Sequence, residues 1–240
     1  MSYSSITFND PALIKRQLQN RRIEHAASAA ETLPKGASVL DYGAGNGELC
    51  KILTRRRPDL RLVCYEPAPQ LREEARNNLS GWPAIDVLPE PPRQRRFERI
   101  FCLEVFEHLP PAEMSRVLDD FHKMLAPDGR VVLGVPNEIF LMALMKGLFR
   151  KWRRPRDYDT SLPRILKATL GKTIEDRPVD EISAGHAYHF HHLGFDYRAL
   201  EKRLREDFTV VDRFQSPFRR APVWMNSECY FILQSKKTDV

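Results

Sequence analysis

The amino-acid sequence predicts an α/β fold: a Rossmann-like, mostly parallel sheet with helices on both faces and a terminal antiparallel strand pair. Three observations carry this expectation. Short apolar runs alternate with stretches of helical periodicity between residues 38 and 135, which is the pattern of strand, helix and parallel strand in succession. The first of these runs breaks directly into "GAGNG", three glycines in five positions (43 to 47). Near the C-terminus, "FTVVDRF" and "ECYFILQ" are β-rich with no convincing helix between them.

The elements follow in order. Asp10 sets a capping side chain before Pro11, and Leu13, Ile14, Leu18, Ile23 and Ala26 or Ala27 recur at near-helical spacing, so a leading helix is expected over 10–33. After "PKG" come a strand at 38–42, a helix from Asn46 to about Arg56, a strand "LRLVCY" at 60–65 and a helix from Pro69 to Leu79. A short run around Ile85, a strand "RIFCLEV" at 99–105, a helix at 111–125 and a strand "GRVVLGV" at 129–135 complete the alternation. A helix is expected again around 196–206, before the two β-rich runs.

Between Val135 and Asp196 the alternation stops, for longer than the roughly 15 residues a plain loop tolerates. The chain therefore reads as one domain over 1–240 with a lid or substrate insertion at about 136–195. Within the insertion, "EIFLMALMKGLFRKWRR" (138–154) begins apolar and ends basic. Such a segment suits a membrane interface, with Trp152 and the arginines at head-group level, or a helix packed over the active site.

Composition narrows the classes further. The chain has 240 residues, 42% of them hydrophobic, enough for one sizeable core. No window approaches the roughly 20 apolar residues of a membrane span, and "MSYSSITFND" lacks a secretory apolar core, so a cytoplasmic location is expected, with peripheral membrane contact through 138–154. Cys50, Cys64, Cys102 and Cys229 are widely spaced in apolar segments, which fits reduced core thiols. The net charge of +6 comes largely from Arg55–Arg57, "RQRR" at 93–96 and "FRKWRRPR" at 149–156. Each cluster reads as a solvated basic surface or as a site for the phosphates of nucleic acid or lipid.

The glycines bear on ligand chemistry. In an open parallel sheet the first strand-to-helix turn is the favoured nucleotide site. A dinucleotide fingerprint needs a third glycine at position 48, where Glu48 stands, and that charge opposes a pyrophosphate at a helix N-terminus. A phosphate-loop lysine followed by Ser or Thr is also missing. A ligand with an adenosine and no phosphate fits, and Glu66, closing "LVCYEP", can accept hydrogen bonds from both ribose hydroxyls.

"VLDYGAGNGELC", "CYEP" and "FERIFCLEVFEHLPP" together resemble the class I S-adenosylmethionine-dependent methyltransferases, over roughly residues 36–136. The resemblance implies S-adenosylmethionine as cofactor. Asp41 and the backbone of the Gly43, Gly45 and Gly47 turn would hold its amino-acid part, and Glu66 its ribose. Pro67 would pack near adenine, Asp86 would meet the adenine amino group, and Leu103 would face the methionine end.

The segment "CLEVFEHLP" (102–110) is similar to one in ubiquinone-pathway O-methyltransferases. Glu104, Glu107 and His108 stand at i, i+3 and i+4, so a helical turn would gather them on one side. Two carboxylates and an imidazole suit a divalent ion that holds a substrate oxygen. A similar segment binds magnesium in methyltransferases acting on RNA ribose, with a further histidine for which His186, His189, His191 and His192 are candidates. The alternative is that the three side chains cap a turn beneath the cofactor. For a hydroxyl acceptor, His108 is the expected base, with Glu107 orienting it or acting itself. These residues lead to O-methylation of a small or lipid-linked molecule. RNA-ribose methylation is the alternative, disfavoured because no RNA-binding module is present, and a non-catalytic cofactor-binding protein is a third reading.

Overall fold

The apolar runs pair side by side in a seven-stranded sheet of order β3 (Asp86–Leu88), β2 (Arg61–Tyr65), β1 (Ser38–Tyr42), β4 (Phe97–Leu103), β5 (Leu125–Pro136), β9 (Glu228–Ser235) and β8 (Phe208–Ser216). The computed structural model describes residues 21–174, 176–183 and 185–236. Residues 21–27 form helix α1, continued by a 3-10 turn at Ser28–Ala30; the first half of the expected leading helix, 10–20, lies outside the described residues. Then come β1 (Ser38–Tyr42), α2 (Glu48–Arg56), β2 (Arg61–Tyr65), α3 (Pro69–Asn78), β3 (Asp86–Leu88), β4 (Phe97–Leu103), α4 (Pro111–Met124) and β5 (Leu125–Pro136). These five strands are parallel. The final pair is antiparallel, and β9 (Glu228–Ser235) lies between β5 and β8 (Phe208–Ser216).

Side-chain alternation along the strands builds a core on each face of the sheet. Leu40, Ile100, Val131 and Leu133 join α4 (Phe121, Met124) and Leu200 and Leu204 of α7 (Tyr197–Asp207) on one face. Their strand neighbours Val39, Phe101 and Val132 join Ala26 of α1 and Leu53 of α2 on the other. All four cysteines are buried and unbridged. β5 begins at Leu125, four residues before the expected strand; its pairing with β4 passes from Leu125 directly to Arg130, so Pro127, Asp128 and Gly129 bulge out of the ladder as a turn.

The segment between β5 and α7 contains α5 (Phe140–Arg153), α6 (Leu162–Thr169) and a hairpin of β6 (Asp180–Ser183) and β7 (His186–Tyr188). Ala143, Ile165, Ala168, Ile174 and Leu193 give it a small core of its own. Its basic end is not uniformly exposed: Lys146 and Arg150 turn inward onto buried Glu138, at 3.0 and 2.7 Å. Asp196 caps α7 by accepting a hydrogen bond from the Arg198 N–H.

Much of the remaining positive charge is consumed by the protein itself. Arg56 pairs with Glu24 and Glu31, and Arg57 grips Asp59 and the carbonyls of Ala30 and Leu33. Arg93 pairs with Asp120, and Arg95 with Asp86. Two of the three basic clusters are thus arranged around internal partners, which removes much of the basis for reading them as phosphate sites.

Candidate functional site

Beyond the carboxyl ends of β1, β2 and β4 lies a cavity of about 520 Å³. The three glycines at its edge serve different purposes. Gly43, Gly45 and Gly47 all have positive φ, 77°, 54° and 78°, which L side chains adopt only at a cost. A Cβ on Gly43 would stand 2.6 Å from Val105 Cγ2, and one on Gly47 would stand 2.9 Å from Leu79 Cδ1. At Gly45 a Cβ would meet nothing within 4 Å. Gly45 thus has open space where a Cβ would stand, while Gly43, which also lines the cavity, and Gly47 admit neighbouring side chains of the protein.

Glu66 organises this turn. Its Oε2 accepts from the Gly45 N–H at 2.8 Å and its Oε1 from the Ala68 N–H at 2.9 Å, which leaves each oxygen a lone pair for a ligand hydroxyl. Burial pushes its carboxyl up to about 6, against the lowering effect of those two backbone donors. Asp41, at the carboxyl end of β1, is buried with Oδ2 unpartnered. Burial, helped by the charge of Glu66, pushes its carboxyl up to about 7.

Pro67 and Leu103 also line the cavity. Asp86 does not belong to it. Residue 86 opens β3, pairs with Val63 at the start of that ladder, and forms an ion pair with Arg95 at 2.5 Å. Ligands in such sheets sit at the carboxyl ends of strands, and beyond the carboxyl end of β3 the cavity is lined by Pro89 and Glu90.

The E-x-x-E-H segment divides in two. Glu104 lines the cavity, its side chain 38% exposed, in a left-handed backbone conformation (φ 56°) that a non-glycine residue rarely holds. Arg22 of α1 stands 3.6 Å from it and 3.1 Å from buried Glu228. Burial opposes ionisation of Glu104, but Arg22, a hydrogen bond from Glu228 and the charges of His192 and Lys146 together outweigh it and hold the carboxyl below its ordinary range. Arg22 has no signal in the sequence beyond a place on a helix.

Glu107 and His108 lie in a 3-10 turn (Phe106–His108), both buried and outside the cavity lining. The His108 ring stacks on Tyr188 of β7 with centroids 4.2 Å apart, and Tyr188 faces the cavity. His108 Nδ1 meets the His189 carbonyl at 2.5 Å, so this nitrogen carries the proton and donates. Its Nε2 faces Glu107 Oε1 at 3.8 Å, and His192 Nδ1 stands 4.0 Å from the same oxygen. Burial drives the Glu107 carboxyl well above its usual range and His108 well below, and it lowers His192 too.

Glu107, His108 and His192 each present a donor atom within 4.8 Å of the others, and Glu104 is not part of that group. Both Glu107 oxygens are buried without a hydrogen-bond partner, a state that costs free energy unless a proton or an ion compensates it. Two imidazoles and one carboxylate suit a borderline ion such as zinc. Magnesium, which demands oxygen donors, fits this set poorly.

Comparison with known proteins identifies the family. A family described as "Methyltransferase domain" matches residues 14–177. An uncharacterized methyltransferase of Oceanobacillus iheyensis is 31% identical over 98 residues, 40% of this chain and 45% of that protein. The ubiquinone biosynthesis O-methyltransferase of Xylella fastidiosa is 30% identical over 122 residues, 46% of this chain and 47% of that one. The chain thus spans about half the length of the curated relatives it matches. Among solved structures, the N-methyltransferase NodS of Bradyrhizobium japonicum in complex with S-adenosyl-l-homocysteine superposes with a TM-score of 0.56 at 15% identity, over 92% of this chain and 88% of that one. A protein of Pyrococcus horikoshii superposes with a TM-score of 0.60 at 14% identity, over 98% and 96% of the two chains. These two share the fold. With the family match covering most of the sheet and the glycine turn, the chain belongs to the class I S-adenosylmethionine-dependent methyltransferases.

Proposed function

We propose that this protein transfers the methyl group of S-adenosylmethionine to a hydroxyl oxygen of a small or lipid-linked acceptor, reached where residues 138–154 meet a membrane surface. The observation that carries the reading is a single cavity with two differently equipped halves. Asp41, Gly45 and Glu66 equip one half for the cofactor, and Glu90 is the better candidate for the adenine edge than Asp86. Glu104, Arg22 and the hairpin residues His186 and Tyr188 line the same cavity and in this reading form its acceptor side. The similarity to the Xylella O-methyltransferase supports oxygen as the acceptor atom.

In the reaction the acceptor oxygen forms a bond to the methyl carbon as the carbon–sulfur bond breaks, and the sulfonium becomes a neutral thioether. The protein positions the acceptor in line and keeps water out. The acceptor proton grows strongly acidic as the new bond forms, so a weak base suffices, and the Glu104 carboxylate, which lines the cavity beside Arg22, would take it. His108, expected from the sequence to be this base, stands behind the ring of Tyr188. In this reading it and Glu107 position Tyr188 and the hairpin. Labelled S-adenosylmethionine should pass its methyl to hydroxyl-bearing acceptors, water-soluble or lipid-linked. Transfer to nitrogen or carbon acceptors alone would overturn the assignment to oxygen, and cofactor binding without transfer to any acceptor would leave the non-catalytic reading in its place.

A second reading concerns a divalent ion, and it rests on the unpartnered Glu107 oxygens. Glu107, His108 and His192 would hold the ion, which would supply positive charge and rigidity behind the hairpin. Zinc is then expected to raise the melting temperature of the apoprotein, and Glu107→Gln to remove that response. An unchanged melting temperature with zinc would return the cluster to a purely packed role.

A further inference from the structure

Fifteen large hydrophobic side chains are exposed among the described residues, and all but Val179, Phe190 and Val211 lie on three elements. On α5 they recur at helical spacing and include Met145, Leu148 and Trp152, the last 80% exposed. On α6 and its C-cap they are Leu162, Leu166 and Leu170. The third element is the loop 217–225 between β8 and β9, which presents Phe218, Trp224 and Met225. Its 3-10 turn (Val223–Met225) packs against α5. These side chains are not a core face left uncovered, because the helices already bury Ala143, Ile165 and Ala168 between them.

Charge identifies the occupant. Residues 140–172 and 217–225 contain two acids, Asp159, which is buried, and Asp157, which is paired with Arg154 at 3.0 Å. Exposed cations surround the apolar side chains: Arg153, Arg156, Lys167, Lys172, Arg219 and Arg220. A second copy of the chain would set this positive face against itself. No helix of the described residues is long and apolar enough to cross a membrane. Apolar side chains of modest depth within a cationic rim match the interface of an anionic bilayer.

From this arrangement we infer that α5, α6 and the loop 217–225 together form a docking face for an anionic lipid surface. The face extends the contact through 138–154 to two further elements, and Arg150 takes no part in it because it is turned onto Glu138. Its purpose, delivery of a lipid-linked acceptor, rests on the proposed function, but the binding itself does not. The cavity is roofed by the β6–β7 hairpin, while α5 and α6 lie outside its lining. Docking therefore leaves the cofactor half free.

The test is co-sedimentation with vesicles of phosphatidylcholine alone or mixed equally with phosphatidylglycerol, with S-adenosylhomocysteine affinity measured alongside. Binding is expected to the mixed vesicles only, with release by salt. Neutralising Arg153, Arg156 and Lys167 to Gln should weaken it by about fivefold per residue, on the order of a hundredfold together. Trp152→Glu and Trp224→Glu should each weaken it too, because the residues lie on separate elements of one face, and cofactor affinity should stay within about twofold. No sedimentation with mixed vesicles at low salt overturns the inference, as does equal binding to neutral ones. Concentration-dependent dimers abolished by Trp152→Glu, without vesicle binding, would assign the face to a second copy. Vesicle binding without methyl transfer would instead count against the proposed function alone.

Discussion

Glu104→Gln is expected to lower the turnover of methyl transfer by about 10²- to 10⁴-fold, the range typical of removing a general base. The amide keeps the shape of the side chain and an acceptor for Arg22, 3.6 Å away, so the left-handed backbone at this position need not change. What is lost is the negative oxygen that can take the acceptor proton. Cofactor affinity should remain within about twofold, because Glu66 and the glycine turn are untouched. Loss of turnover at unchanged affinity would separate a role in chemistry from one in folding. A variant that keeps more than a third of wild-type turnover would send the assignment back to His108.

Glu66→Ala should weaken S-adenosylhomocysteine by about 1.5 to 3 kcal/mol, on the order of 10- to 150-fold, as expected for losing charged hydrogen bonds. The loss has two sources: the ribose hydroxyls lose their acceptor, and the N–H groups of Gly45 and Ala68 lose the oxygens that hold them. Affinity should also depend on pH. Asp41 is raised to about 7 in the empty site, so below that value it must give up a proton to receive the cofactor ammonium. Affinity should rise with pH toward about 7 and level off above it, and Asp41→Asn should remove the part of the rise above about 6, the value of Glu66, which titrates in the same window. The sign for folding is the reverse. An acid raised in the folded state favours folding fully below its ordinary pKa, and that contribution is lost as pH rises through about 7. Calorimetric titration of wild type and both variants between pH 5.5 and 8 checks each expectation. A flat profile for the wild type would mean that Asp41 does not meet the ammonium.

Much of this protein was legible in one dimension because periodicity and turn chemistry are local. The alternation of apolar runs sets the five parallel strands, and β1 needs no distant partner to declare itself. The glycine turn, the carboxylate closing β2 and the antiparallel final pair are equally local statements. Asp86 and Glu90 were beyond that kind of reading. Which acid reaches adenine depends on where β3 ends against β2, and a strand of three residues (Asp86–Leu88) offers too little pattern to fix its register. The E-x-x-E-H segment shows the limit most plainly. Its spacing suggests one helical turn with three groups on one side, but Glu104 adopts φ 56° and the following residues form a 3-10 turn. Glu104 therefore opens to the cavity, while Glu107 and His108 turn away toward His192, a residue more than eighty positions later whose approach only tertiary packing decides. The same holds for the surface. Sequence marks 138–154 as apolar and basic, but which of its cations are spent on Glu138, and which distant loop completes its exposed face, follow from burial across the whole chain.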